Sequence, residues 1–83
     1  MPGDKIEITY VVNPNSYSLR WGAGEGYHAR DFKKPKQVLA FLTEHPGHVL
    51  AVDDTPNISK GKGRVDRNRR KLKETVPEDY FKI

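Results

Sequence analysis

The first half of the chain alternates. Ile6, Ile8, Tyr10 and Val12 occupy every second position of the stretch Lys5 to Val12, with Glu7 and Thr9 between them. A period of two with β-branched side chains predicts a strand buried on one face. Val11 interrupts the polar set, so the other face is expected to be partly covered. Asn13-Pro14-Asn15-Ser16 predicts a turn, because proline presets φ and the Asn and Ser side chains bond nearby backbone. Tyr17, Leu19 and Trp21 alternate with Ser18 and Arg20 in a second strand, and Tyr27 to Phe32 reads as a third. In the third, Tyr27 and Ala29 compete with His28, Arg30 and Phe32 for the inner face. Between these two strands, the glycines of Gly22-Ala23-Gly24-Glu25-Gly26 tolerate positive φ and predict a hairpin loop.

The period changes at Pro35. Val38, Leu39, Phe41 and Leu42 form one apolar stripe of a helix. Proline suits the first turn of that helix, and Pro46-Gly47 ends it. His48 to Val52 is a short apolar run that predicts a fourth strand. The fold class expected is α+β: a small antiparallel sheet in the order β-β-β-α-β, with one helix packed on one face. Residues 1–54 are expected to form this compact body.

Patterning is lost after Asp53. Residues 55–83 are expected to form a basic C-terminal arm containing a short helix over Asp66 to Glu74, capped by Asp66 and supported by an Arg70–Glu74 pair. Its apolar content is Val65 and Leu72, too little for a stable helix alone. Thr75 and Glu78 have the spacing of a capping box. Tyr80, Phe81 and Ile83 are expected to dock, either on the protein's own sheet or on a partner.

Composition narrows the picture. The chain has 83 residues, 35% hydrophobic and 31% charged, which is one small domain with little core material. A chain of this size buries only about 60% of its unfolded surface, which suggests a compact part with a segment outside it. Cys is 0, which rules out disulfides and cysteine-ligated metal sites and fits a reducing, cytoplasmic setting. No apolar run approaches the ~20 residues of a membrane span. Met1-Pro2-Gly3-Asp4 lacks a basic region leading into an apolar one, so no signal peptide is expected.

Charge is unevenly spread. The net charge is +4, yet Lys60, Lys62, Arg64, Arg67, Arg69, Arg70, Lys71 and Lys73 crowd into residues 60–74 beside only Asp66 and Glu74. The rest of the chain is slightly acidic. Such an asymmetry points to an anionic partner. Lys60-Gly61-Lys62-Gly63-Arg64 alternates charge with flexible glycine, so its backbone can follow an irregular phosphate surface. Arginine offers phosphate a planar fork and lysine a point charge. Arg20 and Arg30, with His28, are expected to extend this basic surface on a solvated sheet face, while Tyr17, Leu19 and Trp21 belong to the core. No base-reading signature accompanies the arm, so binding is expected to be sequence-independent.

Other chemistry is weaker. Gly22 to Gly26 lacks the Gly-Lys-Ser/Thr ending of a phosphate loop. His45 and His48 have a conceivable metal-pair spacing, but a histidine at a helix end is better explained by the terminal carbonyls. Asp53-Asp54 reads as a turn opener, since neighbours in an extended chain point to opposite faces. No catalytic residues, metal or cofactor are expected, and the chain is read as a non-enzyme. Two functions lead, with a small structural subunit of a ribonucleoprotein or virion as a weaker third. One is a small nucleic-acid-binding protein that uses its basic arm on phosphates. The other is a protein-interaction module, a phage-type inhibitor or a small subunit of a larger assembly, clamping an acidic partner with the arm and with Tyr80, Phe81 and Ile83. Folding of those three onto the body would favour nucleic acid.

Overall fold

The computed structural model describes residues 5–22, 26–57 and 60–82. The Gly22–Gly26 loop lies partly outside the described residues, and the docking expected of Ile83 lies wholly outside them. Four strands form one sheet: β1 (Ile6–Val12), β2 (Tyr17–Trp21), β3 (His28–Phe32) and β4 (His48–Asp53). Two helices, α1 (Pro35–Glu44) and α2 (Lys62–Thr75), and a 3-10 turn over Glu78–Tyr80 accompany the sheet in the described residues.

The sheet is mixed, with strand order β3-β2-β1-β4. β1 pairs antiparallel with β2 and β2 with β3, whereas β4 runs parallel to β1. The antiparallel sheet expected from the sequence is therefore corrected at one strand. Two hairpin reversals leave β3 running parallel to β1. The α1 crossover then returns the chain to the starting end, so β4 keeps the same direction.

Register settles which side chains face the helices. Tyr17 pairs with Phe32 and Trp21 with His28, so His28, Arg30 and Phe32 share the face of Tyr17, Leu19 and Trp21. On β1 that face carries Ile8, Tyr10 and Val12, all buried. β4 contains an irregularity: Ile8 pairs with Leu50 but Thr9 with Val52, leaving Ala51 as the extra residue of a bulge. The bulge sends Val52 to the open face, where it is 51% exposed, and turns Asp53 toward the helices opposite Tyr10.

Both helices pack on one face of the sheet. Val38, Phe41 and Leu42 of α1 join Val65 and Leu72 of α2, and Val76 just beyond it, in a single cluster with Ile8, Leu19 and Leu50. The expected body of 1–54 and arm of 55–83 thus share one core. Each fully buried aliphatic side chain in it contributes about 1.5–3 kcal/mol, enough to hold a helix too polar to form alone. α2 is also longer than expected. It starts after Gly61, whose φ of +77° favours glycine, and a Cβ there would press on Pro14 Cγ at 3.0 Å. Asp66 lies inside the helix and pairs with Arg69 rather than capping the N-terminus. The Thr75–Glu78 capping box does not form: Thr75 ends α2, and Pro77 precedes the 3-10 turn without a side-chain cap.

The C-terminal residues cover one sheet edge. Phe81 bridges to Leu50 of β4, and the Lys82 N–H donates to the Leu50 carbonyl at 3.0 Å. The Phe81 ring meets Tyr10 edge-on at 6.3 Å. Lys82 Nζ reaches across β4 to the Glu7 carboxylate at 2.7 Å.

Candidate anion-binding surface

α2 has a buried stripe and a basic remainder. Val65, Leu72 and Val76 face the sheet, while Lys62, Arg64, Arg67, Arg70, Lys71 and Lys73 are exposed. Spaced at i, i+3 and i+7, Arg64, Arg67 and Lys71 share one flank of the helix. That flank meets the connection between β3 and α1. Lys33, Lys34, Pro35 and Lys36 line a groove of about 410 Å³ together with Tyr17, Asn68, Lys71 and Thr75. Among the described residues, four lysines and no carboxylate line it.

The walls of this groove are fixed by hydrogen bonds. Asn68 Nδ2 donates to the carbonyls of Asn13 and Pro14, both at 2.9 Å. The Tyr17 hydroxyl donates to the Asn68 carbonyl at 3.0 Å, and burial raises the pKa of this phenol. These bonds join the first hairpin turn to the middle of α2. On the other wall, Gln37 Oε1 accepts the N–H groups of Lys33 and Lys34 at 3.0 and 3.3 Å. The lysines therefore project from a pinned backbone.

The remaining basic residues divide. Arg69 is committed to ion pairs, with Nε 2.9 Å from Asp53 Oδ2 and Nη1 3.1 Å from Asp66 Oδ1. Burial alone would raise the Asp53 pKa, but hydrogen bonds from Thr55 and Arg69 outweigh it and lower the value. Asp53 also accepts the N–H and hydroxyl of Thr55, so it does open a turn. Lys60 lies exposed just before α2. Lys62 lines a small hollow beside Thr55, Asp66 and Arg69, and Lys73 sits on the other flank of α2, near Tyr10 and Phe81. Arg70 is exposed on α2, away from the residues lining the groove.

The two sheet arginines do not join this surface. Arg20 lies on the open face of the sheet, paired in register with Thr9 and Ala29. Arg30 is on the helix side of β3 and shares a hollow with Asp31, Glu44 and His45. Tyr80 and Phe81 pack against the core of the protein itself. Sequence reasoning missed Lys33, Lys34 and Lys36. A basic run flanking the helix-opening Pro35 was the available signal, but its proximity to α2 depends on the sheet register that sets Phe32 beside Tyr17. In comparisons with known proteins, no family model, no curated protein and no solved structure matches this chain.

Proposed function

We propose that this chain is a non-catalytic nucleic-acid-binding protein, holding phosphates between α2 and the β3–α1 connection. The observation that carries the reading is the groove lined by Lys33, Lys34, Lys36 and Lys71, with no carboxylate among the described residues that line it. Clustered cations on a fixed backbone raise the local concentration of a polyanion and bind it without ordering a tail first. The fold of Tyr80 and Phe81 onto the core supports the same reading over a protein clamp, since it withdraws two of the three side chains such a clamp would use. Arg64, Arg67 and Lys71 would follow the phosphate chain along one flank of the helix. Within β1, β2 and β3 the open sheet face offers Thr9, Val11, Ser18, Arg20, Ala29 and Asp31, none of them aromatic, and exposed Tyr27 just before β3 is a single ring rather than a stacking platform, which favours backbone contact over base readout.

The test is fluorescence anisotropy with labelled duplex DNA and duplex RNA at about 50 mM salt, where the electrostatic contribution is strong. Lys33→Ala/Lys34→Ala/Lys71→Ala should weaken binding to every sequence alike. Arg20→Ala/Arg30→Ala should leave it nearly unchanged. Equal loss in both variants would point to diffuse charge rather than to the groove.

A further inference from the structure

All three histidines of the chain gather at one end of the sheet, around its single tryptophan. They come from three elements: His28 begins β3, His45 follows α1 and His48 begins β4. His28 stacks on Trp21 with ring centroids 5.3 Å apart and planes 21° from parallel. His45 stacks on Phe41 at 4.2 Å. His48 meets Trp21, Phe41 and His45 edge-on at 5.8, 5.9 and 5.4 Å. Trp21 and Phe41 are themselves in contact at 5.0 Å. The cluster therefore ties the last turn of α1 and the start of β4 to β2 and β3.

The ring nitrogens of His45 and His48 differ in their surroundings. His45 Nδ1 lies 2.8 Å from the Phe41 carbonyl, which fixes the tautomer with the proton on that nitrogen. Among the described residues His48 Nδ1 is buried with no hydrogen-bond partner of good geometry, although the carbonyls of His45 and Pro46 lie near the ring. We propose that this cluster is a proton-sensitive latch centred on His48, holding the end of α1 and the start of β4 against Trp21 at neutral pH and releasing them in mild acid.

Among the described residues, no carboxylate is paired with His48, and Asp31 and Glu44 line the hollow of Arg30 and His45. From β1, Ile6 is its register partner; of Ile6's neighbours, Lys5 is cationic and Glu7 is engaged by Lys82. β2 contributes Trp21, with Arg20 on the opposite face. β3 contributes His28 and Arg30, and α1 contributes His45 and Glu44. Glu44 lines the same hollow as His45 and Arg30, so its charge is shared there. Burial lowers the His48 pKa, and the neighbouring His45 and His28 lower it further; the carbonyls of His45 and Pro46 act in the opposite direction without reversing the result. A histidine whose folded pKa is depressed stabilises the fold fully above its free value near 6.5. That contribution is lost as pH falls below it.

The experiment is urea unfolding between about pH 7 and pH 5, followed by far-ultraviolet circular dichroism and by Trp21 emission. Histidine is the side chain that titrates in this window, and the chain has no cysteine. The unfolding constant of the wild type should rise on acidification, with about tenfold per pH unit as the limit set by one proton taken up on unfolding. His48→Leu keeps an apolar ring-sized group and removes the titration, so it should flatten most of that rise. His45→Gln removes the neighbouring imidazole at a half-buried position and should reduce the rise while leaving the protein folded. A flat wild-type profile overturns the latch whatever the variants do. A wild-type rise that persists unchanged in His45→Gln and in His28→Gln also overturns it, even if His48→Leu fails to fold.

Discussion

Arg69 Nε donates to Asp53 Oδ2 across 2.9 Å, and this pair fixes α2 to the end of β4. Neither side chain is deeply buried, at 29% exposure each. The pair gains from being part of a network. Asp53 accepts from Thr55, the Thr55 hydroxyl oxygen accepts the Val12 N–H at 3.0 Å, and Arg69 also holds Asp66. Only the bulge at Ala51 makes the contact available, because it turns Asp53 toward the helices. Arg69→Ala should therefore destabilise the protein by about 1 kcal/mol, after allowance for solvent screening. Urea unfolding at neutral pH measures it, and an unchanged midpoint would show that the pair is ornamental.

Asp53 gives the fold an acid sensitivity of known sign. Its pKa is lowered in the folded protein, so its contribution is present above the free carboxylate value and is lost as pH falls through the folded one. The window lies below about pH 4, separate from that of the histidines. Asp53→Asn should cost stability at neutral pH and narrow the difference between pH 5 and pH 3. A variant that remains as acid-sensitive as the wild type would assign that sensitivity to other carboxylates.

Truncation after Asp54 should abolish cooperative folding. Val65, Leu72 and Val76 are buried in the same cluster as Ile8 and Leu42, so their removal exposes the face that α1 alone cannot cover. Leu72→Ala is the milder version and should cost about 2–5 kcal/mol, the range for a buried leucine. A sharp urea transition for residues 1–54 would refute this account.

β1, β2 and α1 were legible because their buried positions follow a period, whereas β3 buries no residue and β4 buries the adjacent Val49 and Leu50. Ile6 to Val12 and Tyr17 to Trp21 alternate, and Val38 to Leu42 makes a helical stripe in a short window. α2 was only half legible. Its buried residues, Val65, Leu72 and Val76, are separated by seven and four positions with charges between them, so the sequence reads as a solvated arm. Packing on the sheet overrides that polarity. The direction of β4 and the bulge at Ala51 are properties of the crossover and the pairing, for which the local sequence carries no mark. The site divided in the same way. Lys71 was visible in a charge run, whereas Lys33, Lys34 and Lys36 became its neighbours through tertiary structure.

Tyr17→Phe should separate the groove from the core. The ring is buried, and the substitution removes only the hydroxyl that donates to the Asn68 carbonyl. About 1 kcal/mol of stability should be lost, the usual value of one hydrogen bond. Circular dichroism should be unchanged, and hydrogen exchange in the middle of α2 should accelerate. Exchange that rises equally throughout the protein would mean that the bond supports global stability rather than the α2 wall.

Salt dependence tests the proposed function most directly. On duplex DNA, log K against log salt falls with a slope of about −0.9 for each phosphate neutralised. Lys33, Lys34, Lys36 and Lys71 line the groove, and Arg64 and Arg67 continue its α2 flank. Engagement of about four of these six gives a slope of roughly −3 to −4. Replacing Lys33, Lys34 and Lys71 with Ala should flatten it by roughly 2 to 3 units, whereas replacing Arg69 should leave the slope unaltered. Arg69 is already neutralised by Asp53 and Asp66, so it displaces few counterions on binding. The same change in slope for Arg69→Ala as for a groove lysine would mean that phosphates are held all round α2. Absence of binding at about 50 mM salt, where the electrostatic attraction is least screened, would remove nucleic acid as the partner and leave an acidic protein surface as the ligand of the groove.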